Sequence, residues 1–193
     1  MSYLFDKNGN RTTMTYPNGV AVDQTFDYAD RPKSSTLRDG ALPPQLLASN
    51  VLYEPFGPLN ALTLGNGLAE TRGFDLRYYP TAINVPGRLS WTYTVDKLGN
   101  PLTITDGLDA SSSRSFSYQD HHYFLTGGTG PWGTRSFTYD RIGNRLTDES
   151  FTFTYLSNGA GQNTPKISTW GPRSVGYDAI GDVTLQGKIS FTY

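Results

Sequence analysis

Cysteine is absent from this chain and helix formers are scarce, with three Glu and ten Ala among 193 residues. Without thiols there can be no disulfide, no Cys-ligated zinc and no thiol nucleophile. So few helix formers argue against a helical fold. Histidine is reduced to one adjacent pair, His121-His122. In a strand these two would point to opposite faces, so they cannot jointly hold a metal. No run approaches the roughly 18 apolar residues of a membrane helix, and the N-terminus lacks the basic-then-apolar layout of a signal peptide. No membrane span and no targeting address are therefore expected from these residues. Neither sign of charge is in excess, with Lys+Arg 16 against Asp+Glu 17. The cations are scattered, several of them just after turns (Arg11, Arg145), so nucleic acid has no electrostatic footprint.

What the chain has instead is 23 Thr, 13 Tyr and 10 Phe, with 21 Gly and 12 Pro. The first group favours strands and the second punctuates them about every six residues. The fold class this predicts is all-β, with short strands and many turns.

The distribution is periodic. An aromatic or apolar anchor followed by a turn sequence recurs as FDKNGNR at Phe5, FDYADRP at Phe26, YEPFGPL at Tyr53, FDLRYYP at Phe74 and VDKLGNP at Val95. It continues as YQDHHYF at Tyr118, YDRIGNR at Tyr139, YLSNGAG at Tyr155 and YDAIGDV at Tyr177, and Tyr193 stands where another copy would begin. The spacings are 21, 27, 21, 21, 23, 21, 16, 22 and 16 residues, a repeat period that must be read before any single-site motif. The longest coincides with GALPPQLLASN, Gly40 to Asn50, which reads as an inserted loop. Residues 1–193 are thus expected to form a single array of about eight to nine copies.

Before each anchor, large residues alternate with hydroxyls, as in Trp91-Thr92-Tyr93-Thr94-Val95 or Phe151-Thr152-Phe153-Thr154-Tyr155. Period-two alternation puts rings on one sheet face and hydroxyls on the other. After the anchor, Asp-x-x-Gly (Asp6/Gly9, Asp96/Gly99, Asp140/Gly143, Asp178/Gly181) suits a type I turn with a capping carboxylate and a left-handed glycine. That is the three-residue hairpin with a G1 bulge. Asn10, Asn100 and Asn144 then lead into the returning strand. A second turn class, Tyr16-Pro17-Asn18-Gly19 and Leu64-Gly65-Asn66-Gly67, is expected at the opposite hairpin end. Successive hairpins would pair into an antiparallel ribbon, with aromatic stacked on aromatic from copy to copy.

These units resemble the YD repeats of the rearrangement-hotspot (RHS) family, Tyr-Asp-x-x-Gly-Asn-Arg-Leu-Thr. YDRIGNRLT, Tyr139 to Thr147, is the best match, and FDKNGNRTT at Phe5 and VDKLGNPLT at Val95 are near matches. Copies depart from it at Gln119 and Glu54, and Phe26 and Phe74 lack the glycine. The resemblance implies a curved, spiralling β-strip that forms part of a hollow shell, as in bacterial polymorphic toxins, the C components of insecticidal toxin complexes and teneurins. It further implies a segment of a larger secreted or cell-surface protein, with flanking segments and an enclosed toxin or other cargo as partners. The family's self-cleaving DPxG-type core motif is not found in this sequence.

Catalytic alternatives are weaker. Asp106/Asp109 and Asp148/Glu149 are pairs of acids, but most Asp recur at one register of a turn, where capping is their task. The calcium-loop pattern fails at Asp6, since glycine falls at the fourth place and Pro17 at the twelfth. GGTGPWG, Gly127 to Gly133, reads as a turn and not as a phosphate cradle, and no G-x-S-x-G elbow occurs. No enzyme activity, cofactor or metal is expected. Two contacts beyond the array remain: self-association through open sheet edges, and a glycan on exposed aromatics, for which Trp132 and Trp170 in Gly-Pro loops outside the ladder are the candidates.

Overall fold

Alternating side chains cut by Asp, Asn and Gly leave the backbone one economical way to satisfy its N–H and C=O groups, which is to fold short strands back on one another. The computed structural model describes residues 1–191 and has this arrangement. Tyr193, the expected start of a further copy, lies outside the described residues.

The chain falls into two units, Met1–Ser113 and the part from Arg114 onward. The first holds β1 (Ser2–Phe5), β2 (Arg11–Thr15), β3 (Ala21–Phe26), β4 (Pro32–Arg38), β5 (Gln45–Tyr53), β6 (Leu59–Leu64), β7 (Ala69–Phe74), β8 (Pro80–Val85), β9 (Leu89–Val95) and β10 (Pro101–Asp106). The second holds β11 (Arg114–Tyr118), β12 (Leu125–Gly130), β13 (Gly133–Tyr139), β14 (Arg145–Asp148), β15 (Phe151–Ser157), β16 (Asn163–Trp170), β17 (Arg173–Tyr177), β18 (Val183–Gln186) and β19 (Ile189–Ser190). Within each unit every strand pairs antiparallel with the next. The fold is all-β, and no helix among the described residues is long and apolar enough to cross a membrane. The stretch read as an inserted loop is loop only from Gly40 to Pro44; Gln45 to Asn50 belong to β5, because Gln45, Leu46 and Ala48 pair with β4.

Every copy has the same register slip at its anchor. Phe5 faces Arg11 while Leu4 faces Thr13, Phe26 faces Pro32 while Thr25 faces Ser34, and Tyr139 faces Arg145 while Thr138 faces Thr147. The other six anchors repeat it. One extra residue on the returning strand is a β-bulge, which increases local right-handed twist. In three copies the bulge brings a hydroxyl eight places after the anchor opposite the one just before it. Thr25 and Ser34 approach to 2.6 Å, Thr94 and Thr103 to 2.6 Å and Thr138 and Thr147 to 2.7 Å. The closing Thr of YDRIGNRLT is thereby explained.

A conventional core is missing. Only Ala21, Val85 and Phe153 are buried among the described residues. Each unit is a single-layer sheet whose stability comes from its ladder and from contacts between neighbouring copies, since a lone hairpin is marginal in water.

The turn glycines supply a direct test. Gly9 (φ +87°) has nothing within 4 Å of an added Cβ, whereas at Gly143 (φ +91°) the Cβ would meet Phe124 Cζ at 2.9 Å. Gly9→Ala is expected to cost about 1–2 kcal/mol for its left-handed backbone, and Gly143→Ala at least ~1 kcal/mol more for the displaced ring. Urea midpoints of the two variants check this, and equal losses would contradict the packing described.

Candidate functional site

The repeated turn is the feature that a functional reading has to explain. Eight of the nine copies close it with the same backbone bond, from an N–H to the carbonyl four residues on, for example Asp6 N–H to Asn10 C=O at 3.0 Å and Asp140 N–H to Asn144 C=O at 2.9 Å. In five of them one carboxylate oxygen also accepts the N–H groups two and four residues on, at Asp6, Asp27, Asp75, Asp96 and Asp140. Asp178 does the same toward Ile180 and Asp182. The second oxygen is taken by the residue after the left-handed position: Asn10, Asn100 and Asn144 through their side-chain amides, Arg31 through its guanidinium. This return bond is the role of the Asn in Gly-Asn-Arg, and the spacing of Asp and Asn was a signal for it.

The copies without glycine make the same turn. Asp30 (φ +58°) and Tyr78 (φ +62°) occupy the left-handed position beside Gly9, Gly99, Gly143 and Gly181. At Tyr118 the turn is one residue longer, running from Gln119 to Phe124, with His121 and His122 inside it as expected. At Tyr155 the turn is displaced by two residues onto Asn158, whose side-chain oxygen accepts from Ala160 and Gln162. Tyr155 still holds the anchor position: its hydroxyl donates to the Arg145 carbonyl, as that of Tyr53 does to Pro32. The remaining anchors, Phe5, Phe26, Tyr53, Phe74, Val95, Tyr118, Tyr139 and Tyr177, are each the last residue of their strand.

The expected stacking of aromatic on aromatic needs correction. Tyr139 does meet a ring, Phe124, at 5.1 Å. Tyr53, however, is covered by the Arg31 guanidinium at 4.5 Å and Tyr177 by the Lys166 ammonium at 5.3 Å. Arg145 lies between two rings, 5.5 Å from Phe137 and 5.0 Å from Phe153. Phe124, Arg31, Lys166 and, toward Phe153, Arg145 come from beyond the turn of the preceding copy, while Phe137 is in the same copy as Arg145; most of these partners are cations rather than rings. A guanidinium fits because its planar face lies flat on a ring while its edge reaches nearby oxygens. The post-turn Arg residues, read as scattered charge, are therefore structural.

The other candidates separate. Trp132 sits at the tip of a two-residue hairpin, Pro131-Trp132, and is 46% exposed. Gly127 to Gly130 belong to β12 rather than to that turn, because they pair with β13. Trp170 is not in a loop: it ends β16, faces Phe153 with ring centroids 6.3 Å apart and carries Arg173 on its ring. Asp106 accepts from Leu108, Asp109 and the Trp91 indole, Asp109 caps the short 3-10 turn Ala110–Ser112, and Glu149 and Asp148 pair with Arg135 and Arg145. These acids are occupied as acceptors and partners. No cluster of three His, Asp or Glu that could hold a metal occurs among the described residues.

Antiparallel ribbons of bulged hairpins, several of them keyed to a neighbour through a post-turn residue, are a β-strip repeat fold. Known structures contain it. A crystal structure of TcdB2-TccC3 without its hypervariable C-terminal region superposes with a TM-score of 0.70 at 17% identity, over 98% of this chain and 12% of that one. The Tc holotoxin pore of Photorhabdus luminescens gives 0.69 at 16% identity, over 94% and 12%, and a further TcdB2-TccC3 crystal structure 0.69 at 18%, over 94% and 12%. No family model and no curated protein sequence matches the chain. The likeness to the YD-repeat family thus holds at the level of fold, and the chain spans 12% of the length of those toxin-complex chains.

The turn carboxylates make stability depend on acid. The Asn10 amide holds Asp6 below the ordinary 3.8, the Asn100 amide does so for Asp96, and the Arg31 backbone N–H followed by its guanidinium for Asp27. A depressed folded value adds stability that is present above the unfolded value and lost as pH falls through the folded one. Melting temperature should therefore be insensitive to these groups above about pH 5 and fall below about pH 4. Replacing Asp6, Asp27 and Asp96 together by Asn, the residue that already makes this turn at Asn158, should flatten that acid slope. An unchanged slope would show that the carboxylates are not its source.

Proposed function

We propose that this chain is a non-enzymatic structural segment of an RHS-type protein, a curved β-strip that contributes to a shell around a toxin or other cargo. The observation that carries the reading is the recurrence of one bulged hairpin through nine copies. In six of them an Asp at the same register is the turn acceptor, which is the economy of a wall and not of an active centre. The likeness to TcdB2-TccC3 and to the Tc holotoxin supports the same reading, as those are toxin assemblies built on chains that include this fold. In this reading the mechanism is steric: a twisting sheet coils as it lengthens, and its covered side excludes solvent and proteases from what it surrounds. The partners are the flanking segments of the parent and its cargo, and the parent is secreted or displayed at a cell surface. Electron microscopy of the intact parent should show a closed hollow particle whose wall includes residues equivalent to 1–191. An open ribbon in the intact parent would refute the proposal.

One observation favours a second reading, glycan binding on an aromatic: Trp132 stands exposed on a narrow hairpin tip with its ring laid over Gly130. A glycan array probed with the protein, with Trp132→Ala and with Trp170→Ala separates the two. Binding lost only in Trp132→Ala supports the module, and an unmutated protein that binds nothing dismisses it.

A further inference from the structure

The Arg145 sandwich has a counterpart with one half missing. Arg145 is the sixth residue after the anchor Tyr139, and it lies between the residues two before successive anchors, Phe137 at 5.5 Å and Phe153 at 5.0 Å. Arg11 is likewise the sixth residue after the anchor Phe5, and it lies over Tyr3, two before that anchor, at 5.6 Å. The position equivalent to Phe153 is two before Phe26, and there the residue is Gln24. Where the second ring would stand there is instead an open cleft of about 460 Å³, lined by Tyr3, Phe5, Asn10, Arg11, Gln24 and Phe26.

The lining defines what fits. Arg11 has a ring on one face only, and a guanidinium plane takes an aromatic on each face, as Arg145 shows. Asn10 is already committed, its amide donating to Asp6 at 3.0 Å and to Asp30 at 2.6 Å. Gln24 makes no side-chain hydrogen bond among the described residues, so a ligand that covers it must offer a polar edge or leave the amide unsatisfied. Phe5 and Phe26 supply apolar walls to an aromatic edge.

We propose that this cleft is a binding site for a planar phenolic ring, which takes the place held by Phe153 in the equivalent position and hydrogen-bonds through its hydroxyl to Gln24. The inference rests on the internal comparison of two copies and is independent of the shell reading. A phenol free in solution and the tyrosine side chain of another chain share this chemistry.

Amide and side-chain NMR titrations with p-cresol and with N-acetyltyrosinamide test it on the whole chain. Saturable shifts are expected at Arg11, Gln24 and Phe26, and the tighter of the two probes identifies the source. Gln24→Phe fills the cleft from within, so it should weaken p-cresol at least tenfold while raising the urea midpoint. Arg11→Gln should weaken it about threefold or more, the lower end of a cation–ring contact. p-Xylene, which lacks the hydroxyl, should bind more weakly than p-cresol. The proposal is overturned by absence of saturable shifts at these residues, by equal binding to Gln24→Phe, by p-xylene binding as well as p-cresol, or by methyl glucoside saturating the cleft when p-cresol does not.

Discussion

A single carboxylate oxygen accepting two backbone N–H groups, two and four residues further on, is the interaction on which the structure depends. It fixes the three-residue turn, the turn fixes which residues face each other across the hairpin, and that register places every ring and hydroxyl that follows. The geometry is local enough to form in an isolated copy, yet a copy is worth little alone because it buries almost nothing. Only three residues among those described are buried. Cooperation has to come from the neighbour, and it comes through the post-turn residue that reaches forward: Arg31 onto Tyr53, Arg145 onto Phe153, Lys166 onto Tyr177 and Phe124 onto Tyr139.

This arrangement substitutes planar cations for part of a hydrophobic core. A guanidinium between two rings tolerates water at its edge, which suits a single-layer sheet where no side chain is far from solvent. It also accounts for the balanced charge. The acids are turned inward to cap turns and the bases lie across rings, so the near-neutral sum conceals two separate structural uses.

Much of this was legible in the residues. The period, the hairpin, the capping Asp and the hydroxyl face all follow from patterns a few residues long. What escaped was relational. The bulge itself was expected from Asp-x-x-Gly, but the hydroxyls it would bring face to face, such as Thr138 and Thr147, are a property of two strands in register that no single strand announces. Trp170 looked like a loop residue because Gly171-Pro172 follows it, but pairing with Phe153 decided its place. The anchor rings were expected to stack on each other because rings are conspicuous in a sequence; the Arg and Lys between them are conspicuous only once the turn has brought them there. The Gln24 cleft was equally invisible, since it is a departure from a geometry that had first to be seen at Arg145.

Two copies reach the left-handed position without glycine, at Asp30 and Tyr78, and still close the same backbone bond. Glycine is therefore an expendable letter of the unit, worth about 1–2 kcal/mol at that torsion against a backbone closure that every copy makes in some form. Descendants of such a chain can misspell the motif copy by copy while the ribbon persists. Hairpins of this kind should thus outnumber the motifs by which they are recognised, and a census of them belongs to the backbone and not to the consensus.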